Sequence, residues 1–206
     1  MPAPAGWPGR PWHKLRCQVR LFVALDVPQR VLVTLSELIK NLKKTCQSAR
    51  WVRLEGVHIT LKFIGEIPDD SLEGIREALG TIPSFPPLEV RFAGLGFFPG
   101  PHRPRVFWAG VEGGPDLAQL ATAIEMRLEP LGISAEKRAF HPHLTLARFA
   151  SPQGTQELRE RVEMLGTPEF GKELFREFHL YRSVLKRSGA EYTRLFTYSI
   201  WREFSS

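Results

Sequence analysis

Two tetrapeptides in this chain carry residue types suited to acid/base chemistry. His58-Ile59-Thr60-Leu61 returns as His143-Leu144-Thr145-Leu146, 85 positions further on. An imidazole titrates near neutral pH, so one copy can take a proton while another gives one. A Thr two residues after a His shares its strand face and can donate a hydrogen bond to a phosphoryl oxygen. Two such pairs facing each other would hold one phosphate from both sides. One neutral imidazole would take a proton from attacking water, and one imidazolium would protonate the leaving oxygen. No metal is required, and basic surroundings would stabilise charge on the phosphoryl oxygens. An unactivated diester is a poor substrate for such a site; a strained five-membered cyclic phosphate is a favourable one.

The repeat is wider than the motif. Arg20-Leu21-Phe22-Val23-Ala24 matches Arg105-Val106-Phe107-Trp108-Ala109 at the same offset. Given the His and Thr content, a His-x-Thr is expected by chance about 0.3 times in a chain of this length. A single occurrence is weak; two in register point to an internal duplication.

The 206 residues bound one large domain or two small lobes, and 43% hydrophobic content with 14 Phe and 5 Trp supplies a core. The formal charge of +6 fits a polyanionic partner such as RNA or a nucleotide phosphate, although charge alone leaves a merely basic protein equally open. Cys17 and Cys46 have neither metal-ligand nor redox spacing, which suits reduced thiols and a cytoplasmic protein. No apolar run reaches transmembrane length. Residues 1–15 are rich in Pro without a hydrophobic stretch, and are expected to be a disordered extension rather than a signal peptide.

Periodicity places strands at 20–25, 57–64, 88–97, 105–111, 143–149, 174–185 and 192–201, and helices at 31–44, 68–80, 115–131 and 153–165. This order predicts an α+β fold. Two pseudo-symmetric lobes, each an antiparallel sheet with helices on its outer face, would flank a cleft. The halves would be about 16–100 and 101–185, with a closing strand at 190–202, all within one domain over 16–206.

Strand alternation assigns the faces. Ile59, Leu61 and Phe63 would face the helices, leaving His58, Thr60 and Lys62 on the cleft. Leu144 and Leu146 would pack inward, leaving His143 and Thr145 outward. Leu21, Val23 and Leu25 would take the core, leaving Phe22 on the cleft face. Phe22 and its repeat partner Phe107 are therefore candidate base-stacking platforms, or else pack between the lobes. Arg148 is a candidate phosphate ligand, yet strict alternation puts it on the covered face unless the strand twists or bulges. His141 precedes His143, but no obvious third ligand makes a zinc site. Neither a metal nor another cofactor is expected.

These features resemble the 2H phosphoesterase superfamily, and within it the RNA 2′,3′-cyclic phosphodiesterases, formerly named 2′-5′ RNA ligases. The likeness spans about residues 16–203. It rests on 20–25, His58 to Gly65, Phe107-Trp108-Ala109-Gly110, His141 to Arg148, and the late segments 180–185 and 189–192. The resemblance implies metal-independent hydrolysis of RNA 2′,3′-cyclic phosphodiester ends to 2′-phosphomonoesters. His58 would be the proton donor, His143 the proton acceptor, and Thr60, Thr145 and Arg148 the phosphate ligands. It also implies minor 2′-5′ joining of RNA ends and tRNA fragments among the substrates. A monomer without membrane association is expected. The competing readings are a sibling enzyme acting on another cyclic phosphate or on 2′-5′ oligonucleotides, and an RNA-binding module without turnover.

Overall fold

The computed structural model describes residues 18–186 and 189–201. The expectations for residues 1–15 and Cys17 lie outside them. The elements run β1 (Gln18–Asp26), α1 (Gln29–Leu42), β2 (Arg50–Trp51), β3 (His58–Pro68), α2 (Leu72–Gly80), β4 (Leu88–Phe98) and β5 (Val106–Glu112). They continue with α3 (Gly114–Leu128), β6 (His143–Arg148), α4 (Gln156–Leu165), β7 (Glu169–Phe175), β8 (Glu177–Lys186) and β9 (Gly189–Ser199).

The helices form where apolar residues recur every three or four positions. In α1 the buried stripe is Val31, Leu35, Ile39 and Leu42. In α3 it is Leu117, Leu120, Ala121, Ile124 and Leu128, with Pro115 and Asp116 in the first turn. A short 3₁₀ turn extends α3 to Gly132, whose φ of +81° ends it without a Cβ penalty.

The strands make two antiparallel sheets, ordered β3-β1-β8-β9 and β2-β6-β5-β4-β7, so the fold is α+β. One hydrophobic core unites both sheets with the helix stripes; it takes Leu21, Val23, Leu25 and Ile59 from the first sheet and Phe107, Ala109, Leu144 and Leu146 from the second. The motif histidines lie on the opposite strand faces. The order β3-β1-β8-β9 mirrors β6-β5-β4-β7, and β2 is added outside β6.

The sheets do not coincide with the sequence halves 16–100 and 101–185. The β4 strand lies in the second sheet beside β5, whereas β8, from the end of the chain, lies beside β1. The expected single strand at 174–185 is two elements. The chain leaves the second sheet after Phe175 and enters the first at Glu177, with the Arg176 carbonyl accepting from the Ile200 N–H at 2.7 Å. Sequence periodicity did not register β2, because two residues are too few to show alternation.

Candidate active site

Each motif opens its strand. His58 and His143 start β3 and β6, which touch although they belong to different sheets. The two imidazoles are anchored alike. His58 Nδ1 bonds the Gly56 carbonyl at 2.9 Å, and His143 Nδ1 bonds the His141 carbonyl at 2.7 Å. A carbonyl only accepts, so both Nδ1 atoms carry hydrogen and both Nε2 atoms are left as the unprotonated nitrogens of the neutral rings. His141 thus serves through its backbone. Among the described residues no group of three His, Cys, Asp or Glu is arranged to hold a metal.

Pairing across the strands shows how the other side chains are aimed. Ala24 opposes Thr60 but Val23 opposes Lys62, so Leu61 is an extra residue in β3. In β6, Trp108 opposes Thr145 but Phe107 opposes Ala147, so Leu146 is the extra residue. These bulges occupy equivalent places in the two motifs. A bulge puts two residues opposite one and reverses the alternation beyond it.

The consequences correct three expectations. Lys62 does not face the cleft; it is 2% exposed on the helix side, donating to Glu125 Oε1 of α3 at 2.6 Å and to the Ser134 carbonyl at 2.8 Å. Phe63 does not face the core; it is 56% exposed and opposes Phe22, on the histidine face. Arg148, one place past its bulge, opposes Val106 and shares the face of Trp108 and Thr145. Its guanidinium is close enough to lower the proton affinity of His143.

Neither expected stacking platform is available to a base. Phe107 is fully buried against Trp51 and Phe97. The reason is register: the motifs repeat at 85, but their partner strands repeat at 84. Ala24 opposes Thr60 and Trp108 opposes Thr145, so Phe107 corresponds to core residue Val23, not to Phe22. Phe22 is on the cleft face but buried beneath His58, with ring centroids 4.5 Å apart and near-parallel planes. It supports the imidazole. Tyr181 stacks on its ring and Tyr192 meets His58 edge-on at 5.1 Å. The more exposed aromatic of this face is Phe63, with Tyr192 beside His58 exposed to a lesser degree.

The two histidines differ electrostatically. Burial lowers the proton affinity of both. Against this, the Gly56 carbonyl bond and the nearby Asp26 carboxylate favour protonated His58. At His143 the His141 carbonyl bond also favours protonation, but the Arg148 and His141 charges oppose it. Asp26 opposes His58 across β1 and β3 and accepts hydrogen bonds from Tyr181 Oη and Arg194 Nη2. Burial and that Asp26 bond push the Tyr181 phenol up to about 12, so it stays a donor. Neither this network nor Trp108 was singled out as functional in the sequence. Trp108 rests its indole over Gly96, the cross-strand position where a Cβ would lie 2.2 Å from the ring, and packs on Phe98, whose ring meets His143 edge-on at 5.0 Å.

Thr60 and Thr145 are half-buried on the histidine face, and neither hydroxyl has an intramolecular partner among the described residues. No helix is long and apolar enough to cross a membrane among those residues.

Comparison with known proteins identifies the family and the fold. The description of the 2'-5' RNA ligase superfamily matches residues 28–183. An RNA 2',3'-cyclic phosphodiesterase of Archaeoglobus fulgidus is 34% identical over 86% of this chain and 98% of its own length. The protein of that name from Aeropyrum pernix is 36% identical over 79% of this chain and 92% of its own. A crystal structure of a Thermus thermophilus protein superposes with a TM-score of 0.74 at 30% identity, covering 89% of this chain and 99% of that one. The chain belongs to the 2'-5' RNA ligase superfamily.

Proposed function

We propose that this enzyme hydrolyses RNA 2′,3′-cyclic phosphate ends to 2′-phosphomonoesters, using two histidines and no metal. The observation that carries the reading is the twinned anchoring of His58 and His143, which directs an Nε2 from each motif away from its own backbone. The relatives named RNA 2',3'-cyclic phosphodiesterase support the substrate class. The electrostatic contrast supports the division of labour. Asp26 favours the imidazolium at His58, the proton donor, while Arg148 favours the neutral ring at His143, the acceptor.

In this mechanism water attacks phosphorus as His143 Nε2 takes its proton. The bond to the ribose 3′ oxygen breaks as His58 Nε2 protonates that oxygen. Thr60, Thr145 and Arg148 hold the non-bridging oxygens, with Arg148 supplying a fixed positive charge where negative charge grows. Phe63 offers the terminal base a stacking surface. With the 5′-hydroxyl of a second RNA end in place of water and the roles unchanged, the same pair would run a minor 2′-5′ joining: His143 takes the hydroxyl proton, the 5′ oxygen bonds phosphorus, and the bond to the 3′ oxygen breaks as His58 protonates it. tRNA fragments with cyclic ends fit this chemistry, and the chain would act as a monomer.

The test is incubation with a 2′,3′-cyclic nucleotide in excess EDTA, alongside His58→Ala and His143→Ala. A 2′-phosphate product is expected, with turnover falling by about 10²- to 10⁴-fold in each variant. Chelator-sensitive turnover, or full activity in either variant, would refute the mechanism.

A further inference from the structure

A second arginine stands beside Arg148 without a polar partner among the described residues. Arg50 of β2 lies directly opposite Arg148 of β6, and Trp51 lies opposite Ala147. Trp51 turns to the core, where its ring meets Phe107 edge-on and its Nε1 donates to the Cys46 carbonyl at 3.2 Å. Adjacent strand residues point to opposite faces, so Arg50 projects on the face of Arg148, Thr145 and His143. The Leu146 bulge makes this coincidence possible, since it alone brings Arg148 to that face. The β2 strand is fixed at the same bulge, with the Val52 N–H donating to the Leu146 carbonyl at 3.0 Å.

Like charges directly opposite on antiparallel strands repel. Among the described residues no acid is ion-paired with either, and the flanking positions on this face, Val106 and Thr145, are uncharged. Both guanidiniums are exposed, and Arg50 has no ion pair or hydrogen bond among the described residues. A merely structural pair would gain from any change that removed one charge. Two donor forks at one edge of this face suit two anionic groups in sequence.

We infer that Arg50 binds the phosphodiester on the 5′ side of the terminal nucleoside, while Arg148 holds the cyclic phosphate. The enzyme therefore prefers the cyclic end of an RNA chain to a cyclic mononucleotide, which has no second phosphate. The inference rests on the proposed hydrolytic activity and specifies its substrate.

The experiment compares adenosine 2′,3′-cyclic phosphate with the dinucleotide ApA carrying a 2′,3′-cyclic end, using wild type, Arg50→Gln and Arg50→Lys. For the dinucleotide, Arg50→Gln should lower kcat/KM about tenfold or more, the loss expected for one charge-assisted hydrogen bond. Its slope of log kcat/KM against log salt should shrink by about 0.7. The mononucleotide rate should be unchanged, and Arg50→Lys should keep the salt slope while recovering part of the rate. An equal loss on both substrates, or no loss on the dinucleotide, overturns the inference and leaves the hydrolytic activity standing. Absence of turnover by folded wild type overturns the activity instead. Calorimetric affinities of the same two ligands would then decide the role of Arg50 by the same comparison.

Discussion

Lys62 is the side chain through which the β3 bulge is tied to the helix layer. It is 2% exposed, and its ammonium donates to Glu125 and to the Ser134 carbonyl. Glu125 Oε1 also accepts the Glu136 N–H at 2.8 Å. Removing one partner of a buried ion pair costs about 3–5 kcal/mol, because the other charge stays buried. The Glu125 side chain keeps 27% of its surface in solvent, so Glu125→Leu should sit at the lower end, about 3 kcal/mol. For a chain of this size that lowers Tm by roughly 6–12 °C. Lys62→Met keeps the length and drops the charge, leaving a carboxylate that water and the Glu136 N–H can still satisfy. Its cost should be under about 1.5 kcal/mol, and the double variant should recover much of what Glu125→Leu loses. Urea unfolding of the four proteins measures the coupling. Burial pushes the Glu125 carboxyl up, but the Lys62 bond and the Glu136 N–H hold it below its ordinary value. Its stabilising share is therefore complete above the unfolded pKa and lost as pH falls through the folded one. The gap between wild type and Glu125→Leu should narrow in acid. A Glu125→Leu cost below about 1 kcal/mol at neutral pH, with no coupling, would refute the reasoning.

Two further outcomes follow from the site. The pH profile of kcat/KM should be bell-shaped, with activity lost as pH rises through the His58 pKa; because Asp26 favours the imidazolium, Asp26→Asn should move that basic limb to lower pH and leave the acid limb in place. An unmoved basic limb would separate Asp26 from the proton donor. Gly96→Ala would place a methyl 2.2 Å from the Trp108 ring and should cost about 1–3 kcal/mol in urea unfolding, with a fall in kcat/KM as the indole is driven toward Thr145.

The sequence carried the motif pair, the α+β composition and most element boundaries, because hydrophobic alternation and helical spacing are local signals. It did not carry the aim of the side chains beyond the motifs. Lys62, Phe63 and Arg148 all follow a bulged residue, and a bulge is defined by the partner strand rather than by the strand's own residues. The doubt attached to Arg148 was a parity argument, and a bulge resolves it. Phe107 failed for a related reason: its matching pentapeptide aligns one residue out of structural register, and one residue exchanges the faces of a strand. The pairing of Arg50 with Arg148 needed the fold, since the two lie far apart in the chain and their strand is two residues long.

The path of the chain between the sheets determines how the cleft can behave. From β1 the chain passes to the second sheet at β2, returns for β3, crosses again for β4 and comes back at β8. The wall built on the first sheet is therefore stitched from both ends of the polypeptide and the other from its middle, and both rest on one core. Severing the chain between β3 and β4 would not release two self-sufficient lobes, since each piece would expose strand edges that the other now covers. Nor can the walls swing on a single hinge. In the proposed mechanism the spacing of the two imidazoles would then be a fixed gauge, set when the protein folds, and substrates would be sorted by whether their phosphate spans it.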